Sequence, residues 1–575
     1  MSTRLTIDHA PAPRLARPLF RPPRLAGEGA RQVGATLPAL ALFAVVALPL
    51  VAVFSFLLAP GAGLWAHLAA TVLTEYVVNT LALCLGVAAL TAAIGTGAAW
   101  LVTMHRFPGR RVLEWALVLP LAMPTYVLAY AYTDFLQVTG PVQTLIRDAT
   151  GWGWQDYWFP SIRSLGGAVF VLSVALYPYV YVLARAAFVE QAVCALEVSR
   201  TLGCGALGSF RRVGLPMARP AIAAGVAFVL METLADFGAV SYFEVRTFTT
   251  GIYRAWYAMG SPEAAAQLAS VLLLFVLAVV LLERQSRGRA RFSSPTPRAA
   301  PTEPLRLAGL PGLVAAVLCV APILAGFLLP ALVLVGMARH AGDVVPAHEL
   351  WGLVRNTVLL ASGASLLVVA VAIGAVYASR PERGPLARGL VRLATLGYAA
   401  PGVVIAVGLL IAIGWLDRLL GAAAHHAFGV TSGLVIGGSV LALFYGYLVR
   451  FLAIAFNPLE AGLGKVRSQV EDAARTLGCG PAGVLGRVHL PLLRTSLLSA
   501  LLLVFVDVMK ALPATMILRP FNFDTLAVEA YQLATTERLD GAALPSLLIV
   551  AAGLVPVILL CRLLAQGRRG ARGRA

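Results

Sequence analysis

Glu232, Asp236 and Asp507 are acidic side chains set inside apolar stretches, METLADFG (231–238) and VFVDVMK (504–510). A charge at the centre of a membrane helix costs at least about 2.5–3.5 kcal/mol on insertion scales, so each of them needs a reason to be there. Glu232 and Asp236 are four residues apart and on a continuous helix would share a face. Asp507 lies 275 residues after Glu232, and Lys510 follows it within one turn. Carboxylates so placed can offer oxygen atoms to a hard cation. They can equally serve as structural partners, with Lys510 neutralising Asp507, or help helices pack. The residues alone leave both readings open.

The offset of 275 recurs in a second pattern. RTLGCG occurs at Arg200–Gly205 and again at Arg475–Gly480, and around it Glu197 matches Asp472, Gly203 matches Gly478, Leu215 matches Leu490 and Pro216 matches Pro491. Arg212 and Arg219 match Arg487 and Arg494, while Asn79-Thr80 and Pro124 match Asn356-Thr357 and Pro401 with slightly altered spacing. Each copy reads as an acid, a short helical stretch, a glycine, then a basic segment ending in Leu-Pro. An acid is favourable near a helix start, glycine permits a turn that a side chain would strain, and proline suits entry into the next helix. The chemistry expected here is mechanical: a protruding helix–turn–helix, once per half. Simple inheritance of a surface loop by duplication is the alternative.

The elements that position these residues follow from composition. Of 575 residues, 59% are hydrophobic and only 13% charged, against roughly 25% charged in soluble domains. Apolar runs recur near 35–58, 78–103, 116–137, 165–185, 219–240 and 264–283, then near 308–337, 355–378, 393–414, 432–456, 496–518 and 543–564. Each is long enough to cross a hydrocarbon core of roughly 30 Å, and none alternates as barrel strands do. The 308–337 run exceeds one thickness and is expected to tilt, kink at Pro322 or Pro330, or emerge. The first run is too long for a signal peptide and is expected to persist as a helix.

The net charge of +18 comes almost wholly from arginine, since Lys465 and Lys510 are the only lysines. The arginines cluster in alternate short loops, at 105–111, 211–212, 284–306, 380–392, 465–494 and 568–574. That bias places those loops and both termini in the cytoplasm and argues against nucleic-acid binding. The expected order is a disordered basic tail (1–34), a first half (35–284, core about 75–283), a Ser/Pro/Arg-rich cytoplasmic linker (285–307), a second half (308–565, core about 352–562) and a basic tail (566–575). Six spans per half make the halves parallel repeats. The six cysteines form no C-x-x-C pair, so neither a disulfide framework nor a zinc site is expected. Tyr126, Tyr130 and Tyr132 suggest an interfacial belt more than ligation. His425-His426 falls in an expected external loop without metal-ligand spacing.

The paired elbows resemble the EAA loops of binding-protein-dependent ABC importer permeases. Both halves take part, with Glu197-Val198-Ser199 and Asp472-Ala473-Ala474 where the family usually shows Glu-Ala-Ala. Other stretches resemble the fused two-domain iron(III) permeases: YVLARAAF (181–188), METLADFGAVSYF (231–243), TFTTGIYRAW (247–256) and ALPATMILRPFNFDTLAVEAYQLA (511–534). The resemblance implies an all-α integral membrane protein of about twelve transmembrane helices in two parallel six-helix repeats, of the type I importer permease kind, in a bacterial inner membrane. It implies that Glu197, Gly203, Leu215, Pro216 and Asp472, Gly478, Leu490, Pro491 dock on two copies of an ABC ATPase subunit, and that a periplasmic binding protein delivers the cargo. Ferric iron is the implied cargo, with thiamine, phosphonate and sulfate permeases sharing the architecture. Glu232, Asp236, Asp507 and Lys510 are the pathway candidates, with no firm metal site. No G-x-x-x-x-G-K-[ST] loop occurs, because Gly464-Lys465 is followed by Val466. The chain is therefore expected to be no enzyme and to bind no cofactor, with ATP used by the partner. The rival reading, an ion-coupled secondary transporter, would use the same carboxylates as proton or sodium sites.

Overall fold

The computed structural model describes residues 27–56, 63–190, 199, 202–287, 305–340, 345–380, 383–428 and 436–572. Ten helices among them are long and apolar enough to cross a membrane, and twelve if each of two sharply bent pairs counts as one. The expected twelve-span, all-helical architecture is thus recovered. Several helices outrun the bilayer: Leu73–Met104 and Ala347–Ala378 each have 32 residues, about 48 Å of helix. The first helix runs Gly27–Ser55, starting inside the expected tail. Helix also continues to Arg287 and to Arg572, into the expected linker and terminal tail.

Four of the apolar runs are broken where the sequence reads as continuous. The run 116–137 becomes Arg110–Ala116, a 3-10 turn Leu119–Ala122 and a helix Thr125–Leu136, with a bend of 95°. Pro124 disfavours helical geometry at the residue before it, and Met123 is extended (φ −96°, ψ 114°). The matching run breaks at Ala400-Pro401, between Leu396–Ala399 and Gly402–Phe428. That last helix carries His425 and His426, so they lie on a helix and not in the expected loop. Their rings meet edge to face with centroids 6.3 Å apart, and no group of three or more His, Cys, Asp or Glu able to hold a metal is present among the described residues.

The other two breaks overturn an expectation about the carboxylates. The helix Leu215–Ala235 stops one residue before Asp236, whose backbone is extended (φ −67°, ψ 132°). Asp236 therefore does not share a helical face with Glu232. Its carboxylate instead accepts the backbone N–H groups of Ala239 and Val240, at 3.1 and 3.2 Å, at the start of the short helix Gly238–Tyr242. Aspartate offers the backbone a local alternative to continuing the helix. In the second half Arg494–Met509 ends before Lys510 and restarts as Pro513–Leu518.

Each half lends its first helix to the other. Gly27–Ser55 packs on Pro385–Thr395 and Gly402–Phe428 of the second half. A Cβ at Gly408 would sit 2.1 Å from the Pro49 carbonyl oxygen. Reciprocally, Leu310–His340 contacts the first half, where a Cβ at Gly326 would sit 2.4 Å from the Val174 carbonyl oxygen. The expected irregularity of this long helix is a π-helical turn, Leu324–Leu328, between Pro322 and Pro330. It presents the Ala325 carbonyl to the Tyr132 hydroxyl, which donates to it at 2.7 Å. Tyr126, Tyr130 and Tyr132 are 3%, 0% and 4% exposed, which corrects the belt reading: they are interior side chains.

The repeat extends to hydrogen bonds. Asn79 donates to the Arg246 carbonyl at 3.0 Å, and its match Asn356 donates to the Asp524 carbonyl at 3.2 Å. π-Helical turns fall at Phe210–Gly214 and Leu485–His489, again 275 apart. Leu305–Arg306 pairs in parallel with His105–Arg106, so the chain entering the second half lies beside the loop that follows Leu73–Met104.

Candidate functional site

The four helix breaks converge. Pro124, Asp236, Gly402 and Lys510 all line one cavity of about 140 Å³, together with Tyr126, Tyr179, Glu232, Tyr398, Arg450 and Asp507. Three of the four sequence-selected ionisable residues, Glu232, Asp507 and Lys510, therefore meet there, and Asp236 joins them by a different geometry from the one expected. Sites formed where helices are interrupted near the middle of a bundle, between two repeats, are a recurrent plan for transport proteins.

Each carboxylate has a partner. Lys510 Nζ is 2.7 Å from Asp507 Oδ1. Thr125 Oγ1 donates to Asp236 Oδ2 at 2.5 Å, adding to the two backbone donors. Tyr398 donates to Glu232 Oε1 at 2.8 Å, and Arg450 Nη2 lies 3.9 Å from Glu232 Oε2. Arg450 Nη1 also donates to the Ala400 carbonyl at 3.2 Å, in the break before Pro401. These charges are only partly covered: the side chains of Glu232, Arg450, Asp507 and Lys510 are 26%, 14%, 24% and 29% exposed. The lining is thus a largely apolar wall that carries three carboxylates and two cations, with its charged groups open enough to hydrate.

Arg450 and Tyr398 were missed from the sequence. Arg450 stands in the apolar run 432–456 and carries the same signal as Glu232; a search for oxygen ligands alone passes over it. Tyr398 carried no such signal, because an aromatic residue in an apolar run is ordinary core.

The elbows lie elsewhere. Gly203 and Gly478 have φ of +82° and +88°, the left-handed region that side chains disfavour. Both are exposed, and a Cβ at either would meet nothing within 4 Å. The preceding leucines, Leu202 and Leu477, are 78% and 85% exposed, an apolar knob at the tip of each elbow. Leu215-Pro216 opens the helix Leu215–Ala235, and Leu490-Pro491 the short turn Leu490–Leu492 ahead of Arg494–Met509. Asp472 is exposed on the helix Ser468–Thr476, while Glu197 lies outside the described residues.

The elbows are anchored differently. In the first half the Trp100 ring lies against Gly214, where a Cβ would fall 2.5 Å from it, and also packs on Phe188 and Phe210. Ser199 and Ser209 are hydrogen-bonded at 2.9 Å. In the second half the residues matching Trp100 and Gly214 are Tyr377 and His489, which are hydrogen-bonded to each other. Arg380 donates to both oxygens of Glu471 at 3.0 Å, and Arg475 Nη2 is 2.5 Å from Glu471 Oε1. Glu471, adjacent to Asp472, was not singled out from the sequence because a charge in a polar loop is usually a solvated one.

The sequence profile of the family described as binding-protein-dependent transport system inner membrane component matches residues 89–291 and, a second time, residues 370–570. The chain belongs to this family. Members are transport components, and this one is accordingly a multi-pass inner-membrane protein with two tandem family units. An Fe(3+)-transport system permease protein of Haemophilus influenzae is 24% identical over 85% of this chain and 90% of its own length. A probable ABC transporter permease protein of Sinorhizobium fredii is 24% identical over 80% of this chain and 83% of its own length. A molybdenum transport system permease protein of Escherichia coli is 28% identical, over 33% of this chain and 85% of its own length.

Proposed function

We propose that this inner membrane component is the permease subunit of an ATP-driven importer whose cargo is ferric iron. A periplasmic binding protein delivers the cargo to the outer face, and two copies of an ABC ATPase engage the two elbows from the cytoplasm. In this reading both termini are cytoplasmic, the chain binds no cofactor of its own, and the partner consumes the ATP. Closure of the ATPase pair moves the elbows, and the halves rock about the cavity between them. Glu197, Gly203, Leu215 and Pro216, with Asp472, Gly478, Leu490 and Pro491, transmit the motion. Glu232, Asp236, Asp507 and Lys510 line the route.

The observation that carries the reading is the pair of matched elbows, each with a left-handed glycine and an exposed leucine at its tip. Exposed apolar side chains on an otherwise polar turn suit insertion into a partner's groove. Iron is favoured because the iron(III) relative aligns along 85% of this chain, whereas the molybdenum relative aligns along 33%. A second cargo class, an oxyanion such as sulfate, molybdate or a phosphonate, draws support from the molybdenum relative and from two cations, Arg450 and Lys510, in the lining.

The test is uptake of radiolabelled iron into vesicles carrying the permease with its ATPase and binding protein, with thiamine, sulfate, molybdate and phosphonate as competitors. ATP-dependent iron accumulation unaffected by the competitors is expected. Accumulation of an oxyanion instead would replace the cargo, and uptake driven by an ion gradient without ATP would overturn the importer reading.

A further inference from the structure

We propose that Glu232 and Arg450, with Tyr398, form a charge latch between the two halves that restrains the transporter until cargo is delivered. The proposal rests on the importer reading. Glu232 belongs to the first half, on the helix Leu215–Ala235, and both of its partners come from the second: Tyr398 at 2.8 Å and Arg450 at 3.9 Å. The neighbouring carboxylates behave differently. Asp507 is held by Lys510, three residues along its own chain segment, and Asp236 by Thr125 and backbone donors of its own half. If the halves move apart as bodies, Asp236 and Asp507 keep their partners and Glu232 loses both.

The duplication explains how this asymmetry is built. Glu232 and Asp507 are matched positions. The position matching Lys510 in the first half is Ala235, which carries no charge. Glu232 has therefore no counter-ion one turn away and reaches across the cavity to Arg450. A charge in this setting is expensive when unpaired, so separating the pair requires water or cargo to take the partner's place. The 3.9 Å separation and the 26% exposure of Glu232 suit a contact that is made and broken. Arg163 Nη1 and Glu537 Oε1 also join the halves, at 3.5 Å. Glu537 is 76% exposed there, and solvent-facing pairs of this kind restrain little. The pair inside the cavity is the one placed to hold the pathway shut.

The experiment uses the full permease–ATPase complex in proteoliposomes and reads ATP hydrolysis without binding protein or cargo. Glu232→Gln, Arg450→Gln and Tyr398→Phe should each raise that idle rate, by about twofold to tenfold, the worth of one net hydrogen bond or partly buried pair. Arg450→Lys, which keeps the charge, should idle close to the unsubstituted rate, and the exchange Glu232→Arg with Arg450→Glu should idle more slowly than either single change. A purely structural pair would instead lower the yield of assembled complex and leave the idle rate per complex unchanged, which overturns the latch. Tyr398→Phe retains the ring and provides the readout if a charge variant does not assemble. Unchanged idle rates in all three substitutions, or an exchange as leaky as the single changes, would also overturn it. Because no cargo enters the assay, a wrong cargo assignment leaves it intact; a chain that recruited no ATPase would overturn the importer reading and the latch together.

Discussion

Replacing Gly478 separates backbone geometry from side-chain contact. Its φ of +88° is left-handed, and a Cβ there would meet nothing within 4 Å, so a new side chain clashes with no neighbour. The cost of a substitution is then almost wholly local. An ordinary L-residue in this region loses roughly 1–2 kcal/mol, with asparagine the common exception because its short polar chain tolerates the conformation. At 1.4 kcal/mol per factor of ten, Gly478→Val should depopulate the bent elbow about fivefold to thirtyfold, and Gly478→Asn about twofold. Gly203, at φ +82°, should respond alike. The assay is cargo moved per ATP in the reconstituted complex, with membrane insertion checked by yield. Valine should break coupling while insertion persists, and asparagine should largely preserve it. Equal defects from both would show that side-chain bulk at the docking surface matters and backbone conformation does not. Normal coupling with valine at both positions would refute the elbow's role.

Three further outcomes are expected. Leu477→Asp, at a residue 85% exposed, should leave thermal stability unchanged yet weaken ATPase copurification about tenfold or more, since burying one leucine at a partner is worth roughly 1.5–3 kcal/mol; Leu202→Asp should act likewise. Gly408→Val drives a side chain into the Pro49 carbonyl, and overpacking of this kind costs typically about 1–3 kcal/mol. Its melting temperature in detergent should drop, and a drop no larger than that of Gly414→Val, where a Cβ meets nothing within 4 Å, would contradict the crossing of the first helix. Glu471→Ala strips Arg380 of its bidentate partner. A destabilisation of about 1–3 kcal/mol is expected, reduced from the fully buried case because both side chains keep some contact with solvent, and Arg380→Ala in the same background should add little.

Much of this architecture could be read from the residues, and the failures have physical causes. Spans were legible because the hydrocarbon thickness fixes their length, and the elbows because duplication wrote RTLGCG twice. The breaks were not, since an apolar run has the same composition whether its helix is straight or interrupted; Pro124 and Pro401 were recognised as matched residues but not as the points of fracture. Spacing alone puts Asp236 on a helical face because it assumes an unbroken helix, and the Asp236 carboxylate, by accepting from Ala239 and Val240, ends that assumption. Tyr126, Tyr130 and Tyr132 suggest an interface by type, because aromatic residues favour that zone, whereas depth in a bundle is set by neighbours that sequence spacing does not reveal. Arg450 gives no local sign of its role in the sequence, as its partner Glu232 lies in the other half.

The unlike anchoring of the two elbows has a consequence for drive. In the proposed importer the two levers are of different make, one wedged by an indole ring against Gly214 and the other strapped by arginine and glutamate. Ionic strength should loosen the second strap only a little, because its arginine and glutamate are largely covered, and should leave the indole contact itself untouched.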